Sequence, residues 1–203
     1  MDDLDTKKTL NFINLLNTLK HSSRKGWDQM DVKNHEQISG HMYAMAMMTF
    51  LIGKNSGLDK NKCMQLALVH DLAECIVGDI TPRDNVPEDI KHNQELQAME
   101  DIAKLLGEEI GGEILALYKE YLAKETNEAK FVKDLDRFDM IYTALWYEKR
   151  DMAPESLQEF FDSTHGKFEH PFVRKLVAEL LNQRQEFSGA STNGTSTCEQ
   201  PQF

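Results

Sequence analysis

The sequence is short of several things, and each shortage closes off a class of function. Of its 203 residues only three are cysteines, Cys63, Cys75 and Cys198, an odd number with no close-spaced pair. They build neither a disulfide framework nor a Cys-x-x-Cys metal site, so reduced thiols and an intracellular, cytoplasmic setting are expected. No apolar run approaches the ~18 residues of a membrane span. The opening Met1-Asp2-Asp3-Leu4-Asp5 is acidic and leads into no apolar core, so no signal peptide is expected there. Positive charge is scarce: 23 Lys and Arg face 34 Asp and Glu, a net charge of −11. That balance argues against nucleic-acid and membrane partners, but not against one small anionic substrate held by a local cation. A Gly-rich phosphate loop and a nucleophilic serine elbow are also missing.

What is present is concentrated. Leu66-Ala67-Leu68-Val69-His70-Asp71-Leu72-Ala73-Glu74-Cys75-Ile76-Val77-Gly78-Asp79-Ile80 carries four metal-ligating or acid–base side chains in ten residues. Read as one helix, it stacks His70 on Glu74 and turns Asp71 aside by about 100°. Gly78 then breaks the helix and lets Asp79 fold back. The surrounding residues are apolar nearly all round, and buried charges need partners or a metal.

Helical periodicity dominates the remainder. Residues 4–20 read as an amphipathic helix, followed by a turn with Arg24 and Lys25 ahead of Trp27. Trp27 suits a core position or a pocket wall. Ser39 can cap a helix to about Asn55 that holds His41 in its first turn and a methionine stripe in the core. Asp59 caps the central helix. A polar helix from Pro87 to Leu106, with Lys91 and Glu95 among its charges, reads as a solvated face. Gly107 separates it from a helix over 108–122, and Gly111-Gly112 threatens a break there. Residues 125–150 give the longest pattern and contain Asp134, Asp136 and Asp139. Spacing alone does not choose between Asp136 and Asp139. A short helix over 154–163, a closing helix over 172–187 and a disordered tail over 188–203 complete the chain. The predicted class is all-α, with one domain over 1–187.

An early His41, then His70-Asp71, then a late Asp136 in a helical chain resembles the HD-domain metal phosphohydrolases. Longer stretches carry the likeness further: Ile38-Ser39-Gly40-His41-Met42-Tyr43, 67–74 with Val77-Gly78-Asp79-Ile80, and Lys133-Asp134-Leu135-Asp136. They resemble the 5'-deoxynucleotidase branch, and the likeness runs over about 10–185. It implies an HD-domain helical bundle with His41, His70, Asp71 and Asp136 on a first divalent metal. Glu74 and Asp79 match positions of catalysis or of a second metal, which the Ile80 carbonyl would join. Trp27 matches an aromatic that disfavours a ribose 2'-hydroxyl. Two departures stand out. Gly26 replaces a phosphate-contacting Arg, for which Arg24 or Lys25 can substitute. Gly40 replaces an acid that would orient His41.

The implied cofactor is a divalent cation, with Mn, Co or Mg foremost and one or two per subunit. Two imidazoles and two carboxylates form a mixed N/O set that suits such ions. The implied reaction is hydrolysis of a 2'-deoxynucleoside 5'-monophosphate to deoxynucleoside and phosphate, in a homodimer. Two rival readings are an HD hydrolase of another nucleotide class and a degenerate HD fold that only binds.

Overall fold

The computed structural model describes residues 5–192, which fall into two units with the boundary between Lys133 and Asp134. Among them the regular elements are helical, and one isolated antiparallel bridge joins Ser23 to Gln37.

In the first unit, Asp5 caps α1 (Thr6–Leu19) by accepting the backbone N–H groups of Lys7 and Lys8. Leu4, from which the helix was expected to start, lies outside the described residues. The expected turn after α1 contains a short helix, α2 (Lys25–Gln29). The next helix, α3 (Ile38–Met48), begins where the Ile38 N–H donates to the Ser22 carbonyl beside the Ser23–Gln37 bridge. Ser39 therefore lies inside the helix rather than capping it. A 3-10 turn (Thr49–Leu51) follows, so the pattern expected to reach Asn55 ends early. Asp59 caps α4 (Lys60–Val69) as the sequence predicts.

The central stretch is not one helix. α4 ends at Val69, His70 is its C-cap, and α5 (Glu74–Val77) starts anew. Between them the Leu72 N–H donates to Val69 O and the Glu74 N–H to Asp71 O, both at 3.0 Å. These three-residue steps wind the chain more tightly than an α-helix, so the expected stacking of His70 on Glu74 is lost. Gly78 stops α5 at φ 77°.

α6 (Glu88–Ala123) is kinked at Gly107, whose φ of 80° divides it into two rods. Gly111 and Gly112 do not break the second rod. Gly111 is required there, because a Cβ would lie 2.1 Å from the Ala103 carbonyl oxygen. α3 packs on α4, α1 and α4 pack on α6, and α5 fits against α1 and α6. Ile38, Met45, Leu66, Ala67, Met99 and Ile102 are the centre of this core.

α7 (Asn127–Arg150) runs across the boundary. In the second unit Leu135, Ile141 and Leu145 of α7 are buried, as are Phe161 of α8 (Gln158–Thr164) and Val173 and Leu180 of α9 (Pro171–Thr192). α8 starts later than expected, after a turn over 154–157. Arg184 makes two hydrogen bonds of 2.8 Å to Glu148 and lies over the Phe161 ring. α9 continues through 188–192, where a disordered tail was expected, and 193–203 lie outside the described residues.

Candidate active site

α3 and the junction between α4 and α5 bring two imidazoles and a carboxylate together. His41, His70 and Asp71 each offer a ligand atom, and these atoms lie within 4.8 Å of one another. Asp71 Oδ2 is the common point, 3.2 Å from His70 Nε2 and 3.8 Å from His41 Nε2. The two rings stand nearly edge to face, with centroids 5.3 Å apart.

The hydrogen bonding of His70 fixes its tautomer. Nδ1 lies 2.9 Å from the Ala67 carbonyl, which only accepts, so Nδ1 carries the proton. Nε2 is buried and makes no hydrogen bond, 3.2 Å from Asp71 Oδ2. A ring held this way is prepared for a cation. Two nitrogens and a carboxylate oxygen, converging at this spacing, fit a divalent metal of the harder or borderline kind.

Glu74 and Asp79 line the same region from α5 and the loop after it. Glu74 is buried, and its Oε2 makes no hydrogen bond. Burial pushes its carboxyl well above the usual carboxylate range, and the charges of Asp71 and Asp79 add to this. Burial also raises Asp79, while the Lys25 N–H donates to its Oδ2 at 2.8 Å. Asp71 goes the other way. Burial opposes its ionisation, but His70, Arg24 and His41 together hold it well below the usual range. Three neighbouring carboxyls are thus driven apart in acidity, a pattern typical of reactive sites.

Of the two cations placed near Trp27 by the sequence, Arg24 faces the site. Its Nη1 donates to Asp71 Oδ2 at 3.2 Å, whereas Lys25 pairs with Asp84. The Trp27 ring is buried, and its indole N–H donates to Glu36 at 3.2 Å. Glu36 also has a carboxylate oxygen within 4.8 Å of a His41 nitrogen. The Ile80 carbonyl accepts a hydrogen bond from Lys91 Nζ at 2.8 Å.

The second unit carries Asp134, Asp136 and Asp139. Asp134 is structural, accepting the backbone N–H groups of Glu169 and His170 and a bond from Arg137. Asp136 is partly exposed and Asp139 buried.

Sequence reasoning missed Lys91, Glu95, Tyr118 and Tyr121. Lys91 and Glu95 are not a solvated face: Glu95 is buried, 3.6 Å from Lys91 and bonded to the Tyr118 hydroxyl at 3.1 Å. The signal was available, because 91 and 95 continue the buried positions 98, 99, 102 and 106 backwards at helical spacing. Tyr121 lies against His70 with ring centroids 5.2 Å apart, and no local pattern marks it. Cys63 and Cys75 are buried free thiols, which burial pushes up to about 12 and about 11. Among the described residues no helix is long and apolar enough to cross a membrane.

Comparison with known proteins bears on this cluster. The HD domain family model matches residues 16–176. The chain is 45% identical over 195 residues to 5'-deoxynucleotidase HDDC2 of Homo sapiens, spanning 96% of this chain and 92% of the human protein. It is 35% identical over 182 residues to 5'-deoxynucleotidase YGK1 of Saccharomyces cerevisiae, spanning 88% and 84% of the two chains. Among solved structures, HD domain-containing protein YGK1 matches with a TM-score of 0.66 at 27% identity, over 89% of this chain and 87% of that one. The PH0347 protein from Pyrococcus horikoshii OT3 matches with a TM-score of 0.69 at 27% identity, over 88% and 99%.

Proposed function

The chain belongs to the HD domain family, and from that premise we infer that it is a 5'-deoxynucleotidase, a phosphoric monoester hydrolase acting on 2'-deoxynucleoside 5'-monophosphates. One observation supports this most directly: the buried Nε2 of His70, which makes no hydrogen bond, converges with His41 and Asp71 on one point, beside two carboxyls of raised pKa.

His41, His70 and Asp71 would hold a divalent cation, with Mn, Co or Mg the candidates. Asp136 is proposed as a further ligand on the family pattern of the sequence alone. When bound, such a cation would supply charge neutralisation at phosphoryl oxygens and would lower the pKa of a water from ~15.7 toward ~7. The chain's own groups do the rest. Arg24 offers its guanidinium to the phosphate, in the place of the Arg that Gly26 lacks. Glu74 and Asp79 divide the two proton transfers: one takes a proton from the attacking water, and the other protonates the 5' oxygen as its bond to phosphorus breaks, so that it leaves as the deoxynucleoside hydroxyl. Trp27, anchored through Glu36, forms the wall that disfavours a 2'-hydroxyl. Residues 1–187 form the functional module, and it works as a cytoplasmic homodimer. A net charge of −11 favours a small substrate over nucleic acid or an anionic membrane.

Phosphate release across deoxy- and ribonucleoside 5'-monophosphates, dNTPs and cyclic nucleotides tests the reading. Deoxynucleoside monophosphates should be preferred, a chelator should abolish release, and added Mn or Co should restore it. Trp27→Phe should narrow the gap between deoxy and ribo substrates. Release confined to another nucleotide class would overturn the assignment.

A further inference from the structure

Lys91 was unremarkable as a sequence position, yet its ammonium is placed with care. Nζ donates to the Ile80 carbonyl at 2.8 Å and lies 3.6 Å from Glu95 Oε1. Glu95 is itself held, because the Tyr118 hydroxyl donates to its other oxygen. A buried acid and a buried phenol on α6 thus fix where the charge of Lys91 sits. That charge stands at the half of the site formed by Glu74, Asp79 and Ile80. The other cation of the site, Arg24, is engaged with Asp71.

From this geometry we propose that Lys91 is a built-in cation that competes with a divalent ion for the Glu74, Asp79 and Ile80 half of the site. The proposal rests on the reading of the cluster as a metal-dependent phosphatase centre. The reasoning is electrostatic. An ion that took the Ile80 carbonyl as a ligand would approach that oxygen to about 2.0–2.6 Å. It would then stand against an ammonium that already donates to the same oxygen. Like charges at that range repel, and more so beside the buried Glu74 and Glu95 than in open water. Lys91 therefore lowers the affinity of this half for a second ion and gives Glu74 and Asp79 a counter-charge of their own. The half formed by His41, His70 and Asp71 also meets a cation, Arg24 at Asp71 Oδ2, but it adds two imidazole nitrogens to its donor set and so keeps its ion more tightly. The division of labour is one tight divalent ion and one lysine.

Calorimetric titration of Mn2+ into the metal-free full chain tests this, with circular dichroism confirming the fold of each variant. Wild type should bind one Mn2+ tightly and a second at least about tenfold more weakly. Lys91→Met removes the charge and should tighten the second event at least about tenfold, leaving the first unchanged. Lys91→Gln keeps a donor for the Ile80 carbonyl without the charge and should behave like Lys91→Met, so it carries the test if the Met variant does not fold. Lys91→Arg retains the charge and should resemble wild type. A second event of equal affinity in wild type and both neutral variants, or one lost in them, overturns the proposal. No Mn2+ binding by any of the proteins overturns the metal-centre reading itself, and this inference with it.

Discussion

The chemistry condenses on one atom. Asp71 Oδ2 lies within 3.8 Å of nitrogens from His41, His70 and Arg24, two that can ligate and one that carries a fixed charge. That crowding keeps Asp71 ionised where burial alone would neutralise it. The same burial, with less compensation, leaves Glu74 raised. Residue by residue, the candidates His41, His70-Asp71, Glu74 and Asp79 could be named because each stands in a distinctive stretch, and the fold brings the ligand atoms of the first three within 4.8 Å of one another. Lys91 and Glu95 were not, because a charged residue on a polar helix looks solvated until its register is traced to the core. The three acids on α7 divide by role. Asp134 is committed to Arg137 and to two backbone N–H groups. Between the other two, Asp136→Ala should abolish phosphate release and weaken metal binding. Asp139→Asn, which keeps the volume of a buried side chain, should stay within a few-fold of wild type. The opposite ranking in parallel release assays and metal titrations would reverse the ligand assignment.

At the scale of elements, periodicity marked most helices, and it misread junctions where hydrogen bonds outside the helix decide the ending. The α4–α5 junction looked continuous because apolar residues resume at helical spacing on both sides of His70-Asp71; nothing in their spacing encodes the shift to three-residue steps after His70. The start of α3 is set by Ser22, a partner 16 residues upstream that no local cap rule consults. Gly107 was readable because a left-handed φ has few other causes. Gly111 was misjudged as a weakness. The second rod of α6 folds back so closely on the first that only a missing side chain fits against Ala103. Its neighbour Gly112 has open space. The pair makes a sharp comparison. Gly111→Ala should destabilise by ~2 kcal/mol or more, since backbone must shift to relieve the clash. Gly112→Ala should stabilise by ~0.5–1 kcal/mol through helix propensity alone. Urea denaturation of the two variants checks both signs, and a neutral Gly111→Ala would mean that the kink is not held by that contact.

The molecule as a whole gathers acid where it needs a cation. An excess of 11 negative charges raises the general cost of each buried carboxylate, and Asp71, Glu74 and Asp79 fall within one stretch of nine residues. Folding such a stretch without a bound ion relies on Arg24, Lys91 and two imidazoles to balance it. Binding a divalent ion to the folded chain therefore stabilises the fold, because the unfolded chain does not hold these donors together. Linkage sets the size of the effect. A ligand at a hundred times its Kd adds ~2.7 kcal/mol. In a chain of this size each kcal/mol moves Tm by ~2–4 °C, which predicts a rise of about 5–10 °C. Thermal unfolding of the full chain should show that rise on addition of Mn2+ and its reversal by EDTA. Asp71→Asn keeps the shape of the side chain but removes the charge shared by both histidines, so its Tm should barely respond to Mn2+. A wild-type Tm indifferent to Mn2+ would contradict the metal centre without reference to any substrate, and an Asp71→Asn variant that still gained the full shift would move the ion elsewhere in the fold.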